Sequence, residues 1–179
     1  KNKSFLPVEF SISESLSLDN DPFVENRKIH HHKSINKSKT ISLPPLHHEP
    51  LIKKAVALEE SGVYRFATSR NVSVQPVSHG TWSSKDNIST WKFNLKSSGA
   101  RSINLTFSEF NLPEGAALSI ANDEDNSRPI IFTARDNDAH GQLWTPLFKT
   151  DRLKLKLTVP THLIAKTVLH LTKINHGFR

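Results

Sequence analysis

The chain contains no cysteine and no methionine. Without thiols it has no disulfides, no thiolate zinc site, no cysteine nucleophile and no thioether or prenyl anchor. Secretion remains compatible, because a domain of about 130 residues buries enough surface without covalent staples. The missing methionine predicts a processed or trimmed chain, as removal of a signal peptide would leave. No run of 18 apolar residues occurs, so no membrane-spanning helix is expected. Hydrophobic residues make up only 36% of the chain, which is low for a fully packed globule. The shortage falls on the first third, where apolar side chains come singly. Serine-hydrolase signatures are missing too: there is neither a Gly-Asp-Ser-Gly-Gly segment nor a Gly-x-Ser-x-Gly elbow.

What is present begins with charge. The formal net charge is +7, but the excess is not gathered into a tract. Residues 1–50 hold seven Lys/Arg against six Asp/Glu, and residues 51–179 hold seventeen against eleven. A dedicated nucleic-acid module normally shows a clustered basic face or an aromatic motif, so no dedicated nucleic-acid binding is expected.

Along the chain, residues 1–50 read as an extended, partly flexible N-terminal segment. Val8–Ile12 alternates enough for one short strand, and the Pro44-Pro45 pair gives an extended connector. Residues 51–62 predict a short helix, with Leu51, Ile52, Ala55, Val56 and Leu58 near one face and Gly62 as its stop. From Val63 the period becomes two. Trp91–Lys96, Ile103–Ser108, Leu118–Ile120, Ile130–Phe132 and Leu153–Val159 read as strands, and Val168–Leu171 closes the set. Leu143–Leu147 carries Pro146 and therefore reads as an edge or bulged strand. Turn-forming runs such as Ser97-Ser98-Gly99 and Pro113-Glu114-Gly115 separate them. Residues 63–179 thus predict an all-β fold, an antiparallel, jelly-roll-like β-sandwich preceded by one helix.

The blocks Gly80-Thr81-Trp82, Trp91-Lys92-Phe93, Ser98–Leu105, Phe110–Ala116, Thr133–Pro146 and Ile174–Arg179 stand in order at plausible spacing. Together they resemble the pre-catalytic, propeptide-like domain of lysyl-endopeptidase-type secreted bacterial serine proteases. The likeness covers about residues 51–179. It implies a β-sandwich, secretion from a Gram-negative bacterium and an accessory role. It does not imply peptidase activity, because the trypsin-like domain and its cysteines are not in this sequence. Three functions follow as expectations: a non-catalytic domain that binds an extracellular protein or glycan, a cleaved propeptide that assists or inhibits a protease, and a carbohydrate-binding module.

Candidate sites are few. Indole faces stack on sugar rings, which draws attention to Trp82, Trp91 and Trp144. Trp91 alternates with Phe93 and Leu95 and is expected in the core. Trp82 follows a glycine and is expected to be exposed. Trp144, with Asp136, Asn137, His140 and Gln142 supplying hydrogen bonds, makes the best candidate ligand loop; the plainer reading is a loop whose side chains tie down its own backbone. Asp123, Glu124 and Asp125, with Asp136 and Asp138, form a weak candidate Ca²⁺ site that lacks EF-hand spacing. His30-His31-His32 and His47-His48 read as a solvated, weakly metal-binding tail. Arg152, Lys154 and Lys156 form a basic stripe opposite Leu153, Leu155 and Leu157. Such a stripe is usually a solvated sheet face, and it also suits an anionic partner. No cofactor is expected.

Overall fold

The computed structural model describes residues 39–123 and 128–179. The strand expected at Val8–Ile12 and the triple histidine lie outside these residues. The described residues all belong to one compact unit. Its elements in chain order are β1 (Thr40–Leu43), helix α1 (His48–Glu59), β2 (Ala67–Val74), β3 (Thr81–Lys85), β4 (Ile88–Ser97), β5 (Ser102–Asn111), β6 (Ala117–Asn122), β7 (Ile130–Thr133), β8 (Leu143–Trp144), β9 (Arg152–Pro160) and β10 (Val168–Gly177). Two short 3-10 turns, Ala134–Asp136 and Thr161–Lys166, follow β7 and β9.

The strands pair into two sheets. One runs β1-β4-β9-β6-β7, with β3 also on β4; the other runs β2-β10-β5-β8. The two pack together as an all-β sandwich, as the period-two pattern predicts. Side chains alternate across a pleated strand, and the sequence uses that alternation strictly at the centre. Trp91, Phe93 and Leu95 of β4 are buried, as are Leu153, Leu155, Leu157 and Val159 of β9 and Leu118 and Ile120 of β6. Ile103, Leu105, Phe107 and Phe110 of β5 and Leu169, Leu171 and Ile174 of β10 face them in the same core. Each such side chain contributes roughly 1.5–3 kcal/mol by leaving water. β5 and β10 shift register around Phe107–Glu109 and Leu171–Lys173. Those irregularities keep Phe107 and Phe110 both inward, although they are three residues apart.

Four features differ from the sequence expectation. β1 lies within the supposed extended segment and pairs with β4 in parallel, Thr40 opposite Asn94 and Leu43 opposite Ser97. The sandwich is therefore not wholly antiparallel. β3 occupies the rest of the same β4 edge, from Thr81 opposite Lys92 to Lys85 opposite Ile88. Its hairpin turn, Asp86-Asn87, has positive φ at both residues, the geometry that matches strand twist in a two-residue loop. Helix α1 starts three residues before Leu51 and ends at Glu59, with Gly62 (φ 79°) following the last turn. Leu143–Leu147 yields only the two residues of β8, which pair at the edge of the four-stranded sheet. No helix among the described residues is long and apolar enough to cross a membrane.

Candidate functional site

The loop from Asp136 to Trp144 is held by its own side chains. Asp136 Oδ2 accepts from the Thr133 N–H at 2.7 Å and completes a reciprocal cap with the Thr133 hydroxyl. Asn137 grips the backbone of Leu112 twice: its Oδ1 accepts from the Leu112 N–H and its Nδ2 donates to the Leu112 carbonyl, both at 2.9 Å. Asp138 Oδ1 accepts from the His140 N–H at 3.0 Å. The Gly141 carbonyl accepts from Phe110 N–H at 2.7 Å. Asp136, Asn137 and Asp138 thus spend oxygens on local backbone groups, which is the plainer of the two readings for this loop. Gln142 is half-buried and His140 exposed. Trp144 is 58% exposed opposite Thr106.

The tryptophans divide in a different way from the sequence expectation. Trp91 is core, 1% exposed and stacked on Phe93 with centroids 5.6 Å apart. Trp82 is not a free indole. It sits on β3 opposite Trp91, packs against the core, and its Nε1 donates to the Pro76 carbonyl at 2.9 Å. A glycine two residues earlier reads as a turn that would present the ring to solvent; strand pairing instead lays it on the sandwich. Trp82 and Trp144 belong to different sheets and make no joint platform.

The candidate Ca²⁺ residues are similarly divided. Asp123 pairs with Lys154 Nζ at 2.5 Å. Glu124 and Asp125 lie outside the described residues. Asp136 and Asp138 serve the loop as above. Among the described residues no three His, Asp or Glu side chains gather as a metal would need.

The outer face of the six-stranded sheet carries the densest unexplained chemistry. Where β4 and β9 pair antiparallel, Lys92 stands directly opposite Lys156, Asn94 opposite Lys154 and Lys96 opposite Arg152. Lys156 in turn faces Ser119 of β6, and Lys154 faces Ala121. All of these positions alternate with core residues, so they share the solvent side. Lys92, Asn94, Lys154, Lys156, Ser119 and Ala121 line a groove of about 590 Å³, joined by Lys39 and Thr81 at one margin and Pro129 at the other. No carboxylate lines it among the described residues. Its floor holds small side chains, Ser119 and Ala121, while long lysine stems stand around it, which combines aliphatic surface with cationic tips. Arg152, Lys154 and Lys156 form a visible stripe in the sequence. Lys92 and Lys39 do not announce themselves, since each is a single lysine; only the strand register puts them beside that stripe.

A second polar arrangement lies at one end of the sandwich. His176 of β10 is wholly buried. Its Nδ1 lies 2.8 Å from the buried Ser97 hydroxyl of β4, and its Nε2 lies 2.9 Å from Nε2 of His48 at the start of α1. Burial first, then the His48 and Arg70 charges, lower the His176 pKa to about 4, against an opposing pull from Asp151.

The fold and this surface define an all-β sandwich with a basic groove on one sheet. No protein-family model matches the chain.

Proposed function

We propose that this is a secreted, non-catalytic binding domain whose ligand is an acidic glycan lying across the outer face of the six-stranded sheet. The observation that carries the reading is the Lys92–Lys156 pair. Like charges directly opposite one another across an antiparallel ladder are destabilising, and among the described residues no carboxylate lines the groove they share, while the nearby Asp123 is taken up by Lys154. Carboxylate or sulfate groups on a sugar polymer would neutralise them. Asn94, Thr81 and Ser119 offer neutral hydrogen-bonding groups for hydroxyls, and the aliphatic walls suit the faces of sugar rings. The extracellular setting rests on the resemblance to protease-linked accessory domains. The absence of a hydrolase nucleophile motif supports the non-catalytic role.

Retention on immobilised heparin and polygalacturonate, compared with neutral dextran, tests this. The K92Q/K156Q variant is expected to lose at least tenfold in affinity for the acidic polymers, and binding is expected to weaken with added salt because exposed charges are screened. Equal binding by the double variant would overturn the proposal, as would equal binding to dextran. Tighter binding to double-stranded DNA than to either glycan would also overturn it. If Trp144→Ala abolished binding while K92Q/K156Q did not, the ligand face would belong to the other sheet.

A further inference from the structure

We propose that the His48–His176 contact is an acid-sensitive latch that holds helix α1 on the sandwich and lets it go when both rings are protonated. The two Nε2 atoms are 2.9 Å apart, so one hydrogen lies between them and one ring must accept. The far nitrogen of His176 is engaged by Ser97 at 2.8 Å, which fixes the buried ring. A neutral pair satisfies this geometry. A singly protonated pair does too, with His48 as the charged donor and His176 accepting. A doubly protonated pair does not: both Nε2 atoms then carry hydrogens, and two like charges meet in a buried place.

The surroundings decide how hard that second proton is to add. The charge of the Arg70 guanidinium of β2 opposes a proton on His176, while the Asp151 carboxylate before β9 favours it. Ser97 of β4 is neutral. Burial and these charges hold His176 at about 4, against 6.5 for a free imidazole. A depressed folded value means stabilisation that is complete above about pH 6.5 and is lost as the pH falls toward 4.

Helix α1 depends on such ties. It has no side-chain N-cap and no basic residue in its last turn, and Ala55 is its one fully buried residue. Its other polar anchor is at the far end, where Arg179 bonds Glu59. A helix of twelve residues is marginal in water alone, so loss of the His48 contact removes a large part of what keeps it formed.

The test follows the ¹³Cα secondary shifts of residues 51–58 from pH 7.5 to 3.5, with those of β9 as an internal reference. In the wild type, helical shifts are expected to collapse with a midpoint between pH 4 and 6.5 while β9 keeps its strand shifts. His48→Gln supplies an amide that can donate to or accept from His176 Nε2, and it is expected to flatten the transition. A wild-type helix that keeps its shifts to pH 3.5 would overturn the proposal. So would an equal transition in His48→Gln, which would place the sensitivity elsewhere. Parallel loss of the β9 shifts would mean global unfolding and would overturn it as well.

Discussion

Replacing Gly80 with alanine strikes the centre of the core from its edge. Gly80 has φ of 76°, a conformation that alanine pays to adopt, at about 1 kcal/mol. The larger effect is spatial. A Cβ at this position would overlap the indole nitrogen of Trp91 and approach the Lys92 carbonyl to 2.7 Å. Trp91 has no easy retreat: it is 1% exposed, stacked on Phe93, and donates from Nε1 to the His79 carbonyl at 2.7 Å. Moving the ring costs about 1–3 kcal/mol of misfit and about 1 kcal/mol for the weakened hydrogen bond. The sum is roughly 3–5 kcal/mol, a large share of a typical domain's stability. Gly62→Ala supplies the control. Its φ is 79°, but nothing lies within 4 Å of the added methyl group, so only the backbone cost of about 1 kcal/mol remains. Urea unfolding followed by tryptophan fluorescence reads both. If the two variants differed by less than about 1 kcal/mol, the close approach of Gly80 to Trp91 would not be a real constraint. Adding Trp91→Phe to Gly80→Ala should recover part of the loss, since it removes the atoms that collide.

Other expectations follow from the same contacts. Asn137→Ala removes both bonds to the Leu112 backbone and should cost about 2 kcal/mol in chemical denaturation, because a buried N–H and C=O lose their partner together. Trp144→Ala should change stability by less than about 1 kcal/mol, since that ring is already more than half exposed, whereas Phe93→Ala should cost about 3–5 kcal/mol. Ser97→Ala strips the buried His176 Nδ1 of its neighbour and should cost about 1–2 kcal/mol at pH 7, read by the same denaturation.

The central strands were legible because their apolar residues alternate without interruption. Trp91-Lys92-Phe93-Asn94-Leu95 and Leu153-Lys154-Leu155-Lys156-Leu157 can bury one face only as strands. β2 and β3 carry no such signal. Ala67–Val74 has serine, threonine, asparagine and arginine on most positions, and Thr81–Lys85 has a single apolar side chain. They are strands because their neighbours, β10 and β4, offer open ladders. β1 is equally silent: four residues ahead of two prolines pair only because the upper half of the β4 edge is vacant beyond β3. The site was partly legible for the same reason. A lysine stripe on one strand is visible in one dimension, but the apposition of Lys92 to Lys156 depends on register, which no local pattern states. His176 lies in a block already noted for its likeness to protease-linked domains. Its tie to His48 joins residues 128 positions apart, a pairing that sequence spacing does not reveal.

The parallel placement of β1 has a consequence for self-association. Only residues 44–47 join this strand to α1, and its grip on the sheet begins and ends with the Asn94 N–H to Lys39 carbonyl and Ser98 N–H to Leu43 carbonyl bonds, at 3.0 and 3.1 Å. When β1 lifts away, β4 presents unpaired backbone groups from Asn94 to Ser97. The vacancy is four residues long and fits the same segment from a second molecule as well as its own. Exchange of that short strand between chains would make a dimer without any new interface chemistry, and a cleavage between Leu43 and His48 would turn an intramolecular edge into a binding slot for a separate peptide.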